Sequence, residues 1–270
     1  MRSTAKPRSR LFVIHTEACR QLDDGGYVLL PDVMDAGLLG RLREAVEQLF
    51  LSEGEAAGSE FKREPGARRL ANLVNKGPVF REIVVHPVIL PLVEHVLDGS
   101  VKLSSLNARS VQPCWDKPQP LHCDMGAVPD QRGAWVCNTV WMLDDFTERN
   151  GALRAIPGSH RWNRLPQESL ADPLANHPQQ VVITGAAGSV IVMNAHLWHG
   201  GMANRTAHAR TAVHAFYCRR DKPQQQYQKQ LLDVELQATL SPELRELLAL
   251  DDTLNDELAQ QEFARSGFLR

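Results

Sequence analysis

From Asp35 onward, Leu38, Leu39, Leu42, Ala45, Val46, Leu49 and Phe50 recur every three to four residues with charges between them. That is the pattern of a helix burying one face, and it predicts a helix over 35–50. The same spacing returns over 80–97 and predicts another. Upstream, 16–24 reads as a short helix stopped by Asp24-Gly25-Gly26, and Tyr27-Val28-Leu29-Leu30 as a buried strand closed by Pro31. Beyond residue 100 the pattern changes. β-rich runs at 101–111, 134–146, 151–156, 180–183, 189–194 and 209–219, punctuated by glycine, proline and aspartate, predict a sandwich or barrel.

Two segments follow neither period cleanly. The stretch 52–69 is polar and glycine-rich, with Lys62, Arg63, Arg68 and Arg69, and reads as a solvated loop or as a lid carrying anion-binding side chains. The tail 233–268 is charged and helical, with Leu240-Ser241-Pro242-Glu243 as a helix start. No repeat, linker or low-complexity block divides the chain. The expected organisation is a flexible arm over 1–10 and a single domain over 11–270, mostly β with flanking α-helices.

The 270 residues are 43% apolar, enough for a buried core, and the formal charge of −2 provides no basic field for nucleic acid or an anionic membrane. The apolar run at 11–14 is too short to export the chain or cross a bilayer. Five cysteines, odd in number and without C-x-x-C spacing, read as reduced thiols of a cytoplasmic protein.

The chemistry begins at His122-Cys123-Asp124. In an extended segment, side chains two apart share a face, so both can bind one metal ion. Chance alone supplies roughly 0.6 such triplets in a chain of this composition, so the motif needs a partner. The segment 194–206 provides one after the apolar strand at 189–193. A histidine there completes two imidazoles and a carboxylate, the facial set that leaves iron(II) three open positions. His199 is the choice because Gly200-Gly201 lets backbone crowd the site; His196 is the alternative, otherwise a core or supporting histidine. If Asn204-Arg205 forms a two-residue hairpin turn, Arg210 lies directly across from His199. A guanidinium there can hold the far carboxylate of a dicarboxylic cosubstrate whose keto-acid end chelates the metal. His214 and Phe216, on the same face as Arg210, read as pocket lining. Histidines 15, 86, 95, 160, 177 and 208 read as structural.

These residues resemble the phytanoyl-CoA dioxygenase family of iron(II)/2-oxoglutarate oxygenases over about 22–219. The likeness rests on Asp24-Gly25-Gly26-Tyr27, the H-x-D at 122–124, Asn138-Thr139-Val140-Trp141, Asn150-Gly151-Ala152-Leu153-Arg154, Pro157-Gly158-Ser159-His160 and Trp198-His199-Gly200-Gly201 leading to Asn204 and Arg210. The resemblance implies a double-stranded β-helix (jelly-roll, cupin-like) core over about 101–219. It implies Fe(II) on His122, Asp124 and His199, 2-oxoglutarate anchored by Arg210, O2 as oxidant, and Asn107 and Thr139 as further cosubstrate contacts. Asp124 stands where halogenating relatives have a small residue, which implies oxygenation. The wording of 138–147 and 150–160 is closest to members acting on microbial secondary metabolites. The expected reaction is hydroxylation, or another oxidation, of an unactivated C–H bond in a small molecule, with release of succinate and CO2. Its substrate is selected by loops at 52–78 and 112–135, and is anionic if Lys62, Arg63, Arg68, Arg69 and Lys76 face it. The protein is expected to act as a monomer or homodimer. The alternative is a metal-binding jelly-roll without oxygenase activity, either a hydrolase or isomerase or a binding module.

Overall fold

The structure, a computed structural model, describes residues 7–61 and 63–260. Five helices precede or flank the first strands: α1 Pro7–Gly25, α2 Ala36–Glu53, α3 Leu73–Lys76, α4 Pro78–Val84 and α5 Leu90–Leu97. The strands are β1 Tyr27–Leu30, β2 Ala67–Leu70, β3 Val101–Val111, β4 Val136–Met142, β5 Leu153–Ala155, β6 Val181–Ile183, β7 Val190–Asn194, β8 His199–Gly201 and β9 Arg210–Arg219. They form a six-stranded antiparallel sheet, ordered β1-β7-β4-β9-β3-β2, and a three-stranded one, β6-β5-β8. This is the expected jelly-roll class.

Each expected strand is present, and α2 starts where the sequence places it. Asp35 caps that helix by accepting from the Leu38 amide at 2.8 Å. The single helix expected over 80–97 is instead two, α4 and α5, interrupted at 85–89. Pro87 disfavours the helical conformation in the residue before it and lacks an N–H, so apolar spacing carries on while the backbone does not. Helix α1 begins at Pro7, well before the expected 16, and takes in 7–10 of the segment expected as an arm; residues 1–6 lie outside the described residues. The tail forms short helices at Val234–Thr239, Pro242–Leu247 and Thr253–Gln260, Ser241 capping the second. Residues 261–268 of the expected tail also lie outside. No helix among the described residues is long and apolar enough to cross a membrane.

The large sheet separates a core from a cavity. Val28, Leu30, Val190, Val192, Trp141 and Val213 point to the side covered by α2, α4 and α5. Period-two alternation sends their neighbours the other way. On β9, Val213, Ala215 and Tyr217 join the helix-side core, while Arg210, His214 and Phe216 line the cavity.

One turn fixes how α1 enters β1. Gly26 has φ +82°, and a Cβ there would sit 2.5 Å from His160 Nδ1 and 2.9 Å from Leu197 Cδ1. Gly26→Ala is expected to lower stability by about 2–4 kcal/mol, combining left-handed strain with overpacking. A urea melt whose midpoint matched the wild type would remove this account of the glycine.

Candidate active site

The segments that carry His122 and His199 lie side by side. His122 N donates to His199 O at 2.9 Å and His199 N to His122 O at 3.0 Å, while β5 pairs Ala155 with His199 on the other side. Just beyond, Gln119 N donates to Gly201 O at 2.7 Å. A Cβ on Gly200 would lie 3.0 Å from Pro120 O, so glycine here permits the close approach of two backbones. Asp124 follows an extended Cys123 and opens a short 3-10 turn, its amide donating to Ala195 O at 2.9 Å. Extended chain at Cys123 thus brings the His122 and Asp124 side chains together before the chain turns away.

One ligand atom from each of His122, Asp124 and His199 lies within 4.8 Å of the others. Each side chain is also oriented by its remaining polar atom. His122 Nδ1 donates to Pro120 O at 2.9 Å, His199 Nδ1 to Leu197 O at 2.8 Å, and Asn138 Nδ2 donates to Asp124 Oδ2 at 3.1 Å. That leaves two Nε2 atoms and Asp124 Oδ1, which lies 3.8 Å from His122 Nε2 and 3.5 Å from His199 Nε2. Backbone carbonyls that fix the imidazole tautomer and an amide that fixes the carboxylate are what metal ligands require of their supports. Burial, aided by His199, pushes His122 down to about 4. Burial works to raise the Asp124 carboxyl, but His199 and His122 outweigh it and hold it far below the usual range. The carboxylate likewise overrides burial to raise His199.

His196, the alternative ligand, is used elsewhere. Its Nε2 accepts from Trp135 N at 3.2 Å and its Nδ1 donates to Ala127 O at 2.9 Å. Burial pushes it down to about 4. Neutral and engaged at both nitrogens, it braces the loop before β4 rather than facing the other three.

His122, Asp124 and His199 open into a cavity of about 780 Å³, also lined by Arg210, His214, Phe216 and Asn107. Arg210 is 3% exposed. Its NH2 donates to Gly151 O, its guanidinium stacks on Phe146 at 4.1 Å, and its Nε has no partner among the described residues. Burial, with Arg109 nearby, lowers it to about 9. It shares the cavity with His199, although the hairpin expected to place it there does not form. β8 pairs with β5 in the small sheet, and β9 pairs with β3 and β4 in the large one. The linking loop is held by Asn204, whose amide donates to His208 O at 2.8 Å and accepts from the Thr206 hydroxyl at 2.7 Å. The two residues face each other across sheets, not across a ladder.

Thr139 is not brought to the cavity. It is fully buried on the helix side of β4, its hydroxyl donating to Ala215 O at 3.2 Å and accepting from Trp141 Nε1 at 3.0 Å. The strand's cavity face carries Asn138 and Val140. One residue of phase exchanges every side chain between the two faces, and the residue missed by it, Asn138, is the one that orients Asp124.

Sequence reasoning also missed a carboxylate clamp. Glu64 accepts from Arg109 NH2 at 2.6 Å, Arg69 NH2 at 2.5 Å and Gln119 Nε2 at 2.9 Å. Burial alone would raise the Glu64 carboxyl, but Arg109 and Arg69 hold it down at about 2. β2 overlaps the end of the stretch read as a loop and brings Arg69 to this clamp. The other basic residues of the segment are mostly occupied. Lys76 pairs with Glu53 and Glu60, and Arg68 stacks on Phe50. Lys62 lies outside the described residues. Both loops expected to select substrate reach the cavity, through Phe61 and Arg63 from one and Trp115 and Lys117 from the other.

The chain is 30% identical over 263 residues to dioxygenase af480 of Aspergillus fumigatus, covering 92% of this chain and 81% of that protein. Among solved structures it resembles SnoN, an alpha-ketoglutarate-dependent epimerase from nogalamycin biosynthesis, with a TM-score of 0.62 at 23% identity over 77% of this chain and 84% of that one. SnoN has also been solved with Fe3+, alpha ketoglutarate and nogalamycin RO. HygX from Streptomyces hygroscopicus, solved with nickel, 2-oxoglutarate and hygromycin B, matches with a TM-score of 0.59 at 18% identity over 75% of this chain and 86% of that one. At such identities the solved structures share the fold. The sequence model of the phytanoyl-CoA dioxygenase family matches residues 22–212, nearly the whole span from α1 to the start of β9; the chain belongs to that family and is an enzyme of the dioxygenase class.

Proposed function

We propose that the protein is an Fe(II)/2-oxoglutarate-dependent dioxygenase. His122, Asp124 and His199 hold the metal, Arg210 receives the far carboxylate of the cosubstrate, and a small molecule of secondary metabolism is hydroxylated at an unactivated C–H bond. The observation that carries this reading is the ligand set itself: three mutually close donor atoms, each on a side chain whose other polar atom is already tied. Two imidazoles and a carboxylate suit iron(II) and leave coordination positions open.

The bound metal with its cosubstrate supplies oxidation by O2: one oxygen atom goes to substrate and one to succinate as CO2 leaves. The chain's own residues do the rest. Pro120 O and Leu197 O keep both Nε2 atoms free for the metal, and Asn138 keeps Asp124 Oδ1 free. Arg210, buried with a single neutral hydrogen-bond partner and an aromatic face, is poised for a carboxylate. Arg63 and Lys117 line the cavity with no ion pair among the described residues, which supports an anionic group on the substrate. The likeness to SnoN, from nogalamycin biosynthesis, supports a secondary-metabolite substrate. The five free cysteines support a cytoplasmic enzyme.

The test is anaerobic: apoprotein is titrated with iron(II), then 2-oxoglutarate. A weak visible band near about 500–530 nm, the charge transfer of a keto-acid chelate on facial-triad iron, is expected. Confirmed iron binding with no band on adding 2-oxoglutarate would defeat the proposal and leave a metal-binding jelly-roll of other chemistry.

A further inference from the structure

We propose that Gln226, which does not line the cavity, is a positioning residue that turns the Asn107 side chain so that it offers an N–H to 2-oxoglutarate. This rests on the reading above.

The direction of one hydrogen-bond chain carries the argument. β2 pairs only with Ala108 to Val111, so among the described residues no strand pairs with 101–107 of β3 on that edge. Residues 224–226 close that edge, Gln226 N donating to Ser104 O at 2.8 Å. The Leu106 backbone N–H donates to Gln226 Oε1 at 3.1 Å. A backbone N–H can only donate, so the Gln226 amide is fixed: its carbonyl faces Leu106 and its Nε2 donates to Asn107 Oδ1 at 2.7 Å. The Asn107 carbonyl is thereby occupied, and its Nδ2 turns to Ser105 Oγ at 3.3 Å. From there the order continues, Ser105 donating to Gln225 Oε1 at 2.7 Å and Gln225 Nε2 to Met125 Sδ at 2.9 Å. An amide nitrogen has two hydrogens, and Ser105 takes one. The cavity wall therefore presents the second Asn107 N–H, a donor for a carboxylate or keto oxygen. Gln226 is 0% exposed, and Asn107, which lines the cavity, is 8% exposed.

The sheet register shows what such a donor meets. Along the cavity face of β9 come Arg210, then Ala212, His214 and Phe216. Asn107 pairs with His214, and Asn138, which holds Asp124, pairs with Phe216. Asn107 thus lies between the Arg210 end and the Asp124 end of the cavity floor. A dicarboxylate reaching from one to the other passes over it.

The experiment uses the full chain loaded with iron(II) without oxygen, and reads the 2-oxoglutarate dissociation constant from the visible band and from the rise in Tm that 2-oxoglutarate produces. Gln226→Met keeps length and removes both hydrogen bonds; it is expected to raise the constant by about 10-fold or more, the scale for losing a ligand's orienting partner. Asn107→Ala is expected to do the same, and the double variant to add little, because one residue acts through the other. Gln224→Met is the control. Gln224 pins the same segment through Leu103 O at 2.8 Å and Leu248 O at 3.0 Å. That variant is expected to lower Tm yet leave the constant within about two-fold. If Gln226→Met does not fold, Gln226→Glu, which retains the bond from Leu106, replaces it with the same expected direction. An unchanged constant in a folded Gln226 variant overturns the proposal while the function stands. No band in wild type overturns both.

Discussion

His199→Ala and His196→Ala, three residues apart on one buried segment, are expected to give opposite phenotypes. His199→Ala removes one of the three proposed ligands and should weaken iron(II) binding and turnover by well over about 100-fold, since losing even a group that only orients a ligand costs 10- to 100-fold. Asp124 then loses one partner but keeps His122 and Asn138, so the folding cost should stay below that of His196→Ala. His199 Nε2 faces Asp124 across 3.5 Å, and its Nδ1 makes one bond to Leu197 O within the same turn. His196→Ala removes a ring engaged at both nitrogens and strands the Trp135 N–H and the Ala127 carbonyl. At about 1–3 kcal/mol for each buried unsatisfied group, the melt should shift by several degrees while iron affinity per folded molecule holds. Calorimetry and iron titration on both variants check this together. If His196→Ala lost the metal and His199→Ala kept it, the assignment of the third ligand would be wrong.

That these histidines could be ranked from sequence at all follows from chain geometry. His122 and Asp124 share a face because extended chain alternates, and Gly200-Gly201 marked a close approach that the structure places against Pro120 and Gln119. The strands were legible because β-rich runs end at glycine, proline and aspartate, and α2 because only one of its faces is apolar. What was not legible has specific causes. β4 is buried along its whole length and its two polar residues, Asn138 and Thr139, are adjacent, so Val136–Met142 reads without phase. Nothing in it said that Asn138 and not Thr139 faces the ligands. β2 is an edge strand of sequence Ala-Arg-Arg-Leu, whose Arg69 is neutralised by Glu64 five residues earlier, a pairing with no periodic signal. The route to Arg210 failed because hairpin counting assumes one sheet, whereas the chain leaves the small sheet at Gly201 and enters the large one at Arg210. Arg210 still lines the same cavity as His199 because both sheets face it. Gln226 escaped notice because its partners lie about 120 residues away in sequence.

Arg210→Met is expected to separate cosubstrate binding from folding. The wild-type guanidinium is buried against Phe146 with one backbone partner and an unpartnered Nε, and burial with Arg109 nearby already lowers its pKa to about 9. Without an anion this is a desolvated charge poorly compensated, and an apolar side chain of similar length should leave the free protein as stable or more so. With 2-oxoglutarate the sign reverses. Losing one partner of a buried, hydrogen-bonded charge pair costs about 2–5 kcal/mol, which is a rise of about 30- to 4,000-fold in the dissociation constant. Cosubstrate at 100 times its wild-type dissociation constant stabilises wild type by about 2.7 kcal/mol. The variant at that concentration should gain at most about 1 kcal/mol, and nothing at the upper end of the range. Thermal melts of both proteins, with and without 2-oxoglutarate, read all four states. A variant less stable when free would make Arg210 a structural residue whose bond to Gly151 holds the 150–151 turn. A variant still stabilised as strongly as wild type would move the carboxylate anchor elsewhere in the cavity. Arg109 would then be the residue to examine, because Glu64 accepts from its Nε and NH2 and leaves its NH1 beside Gly201.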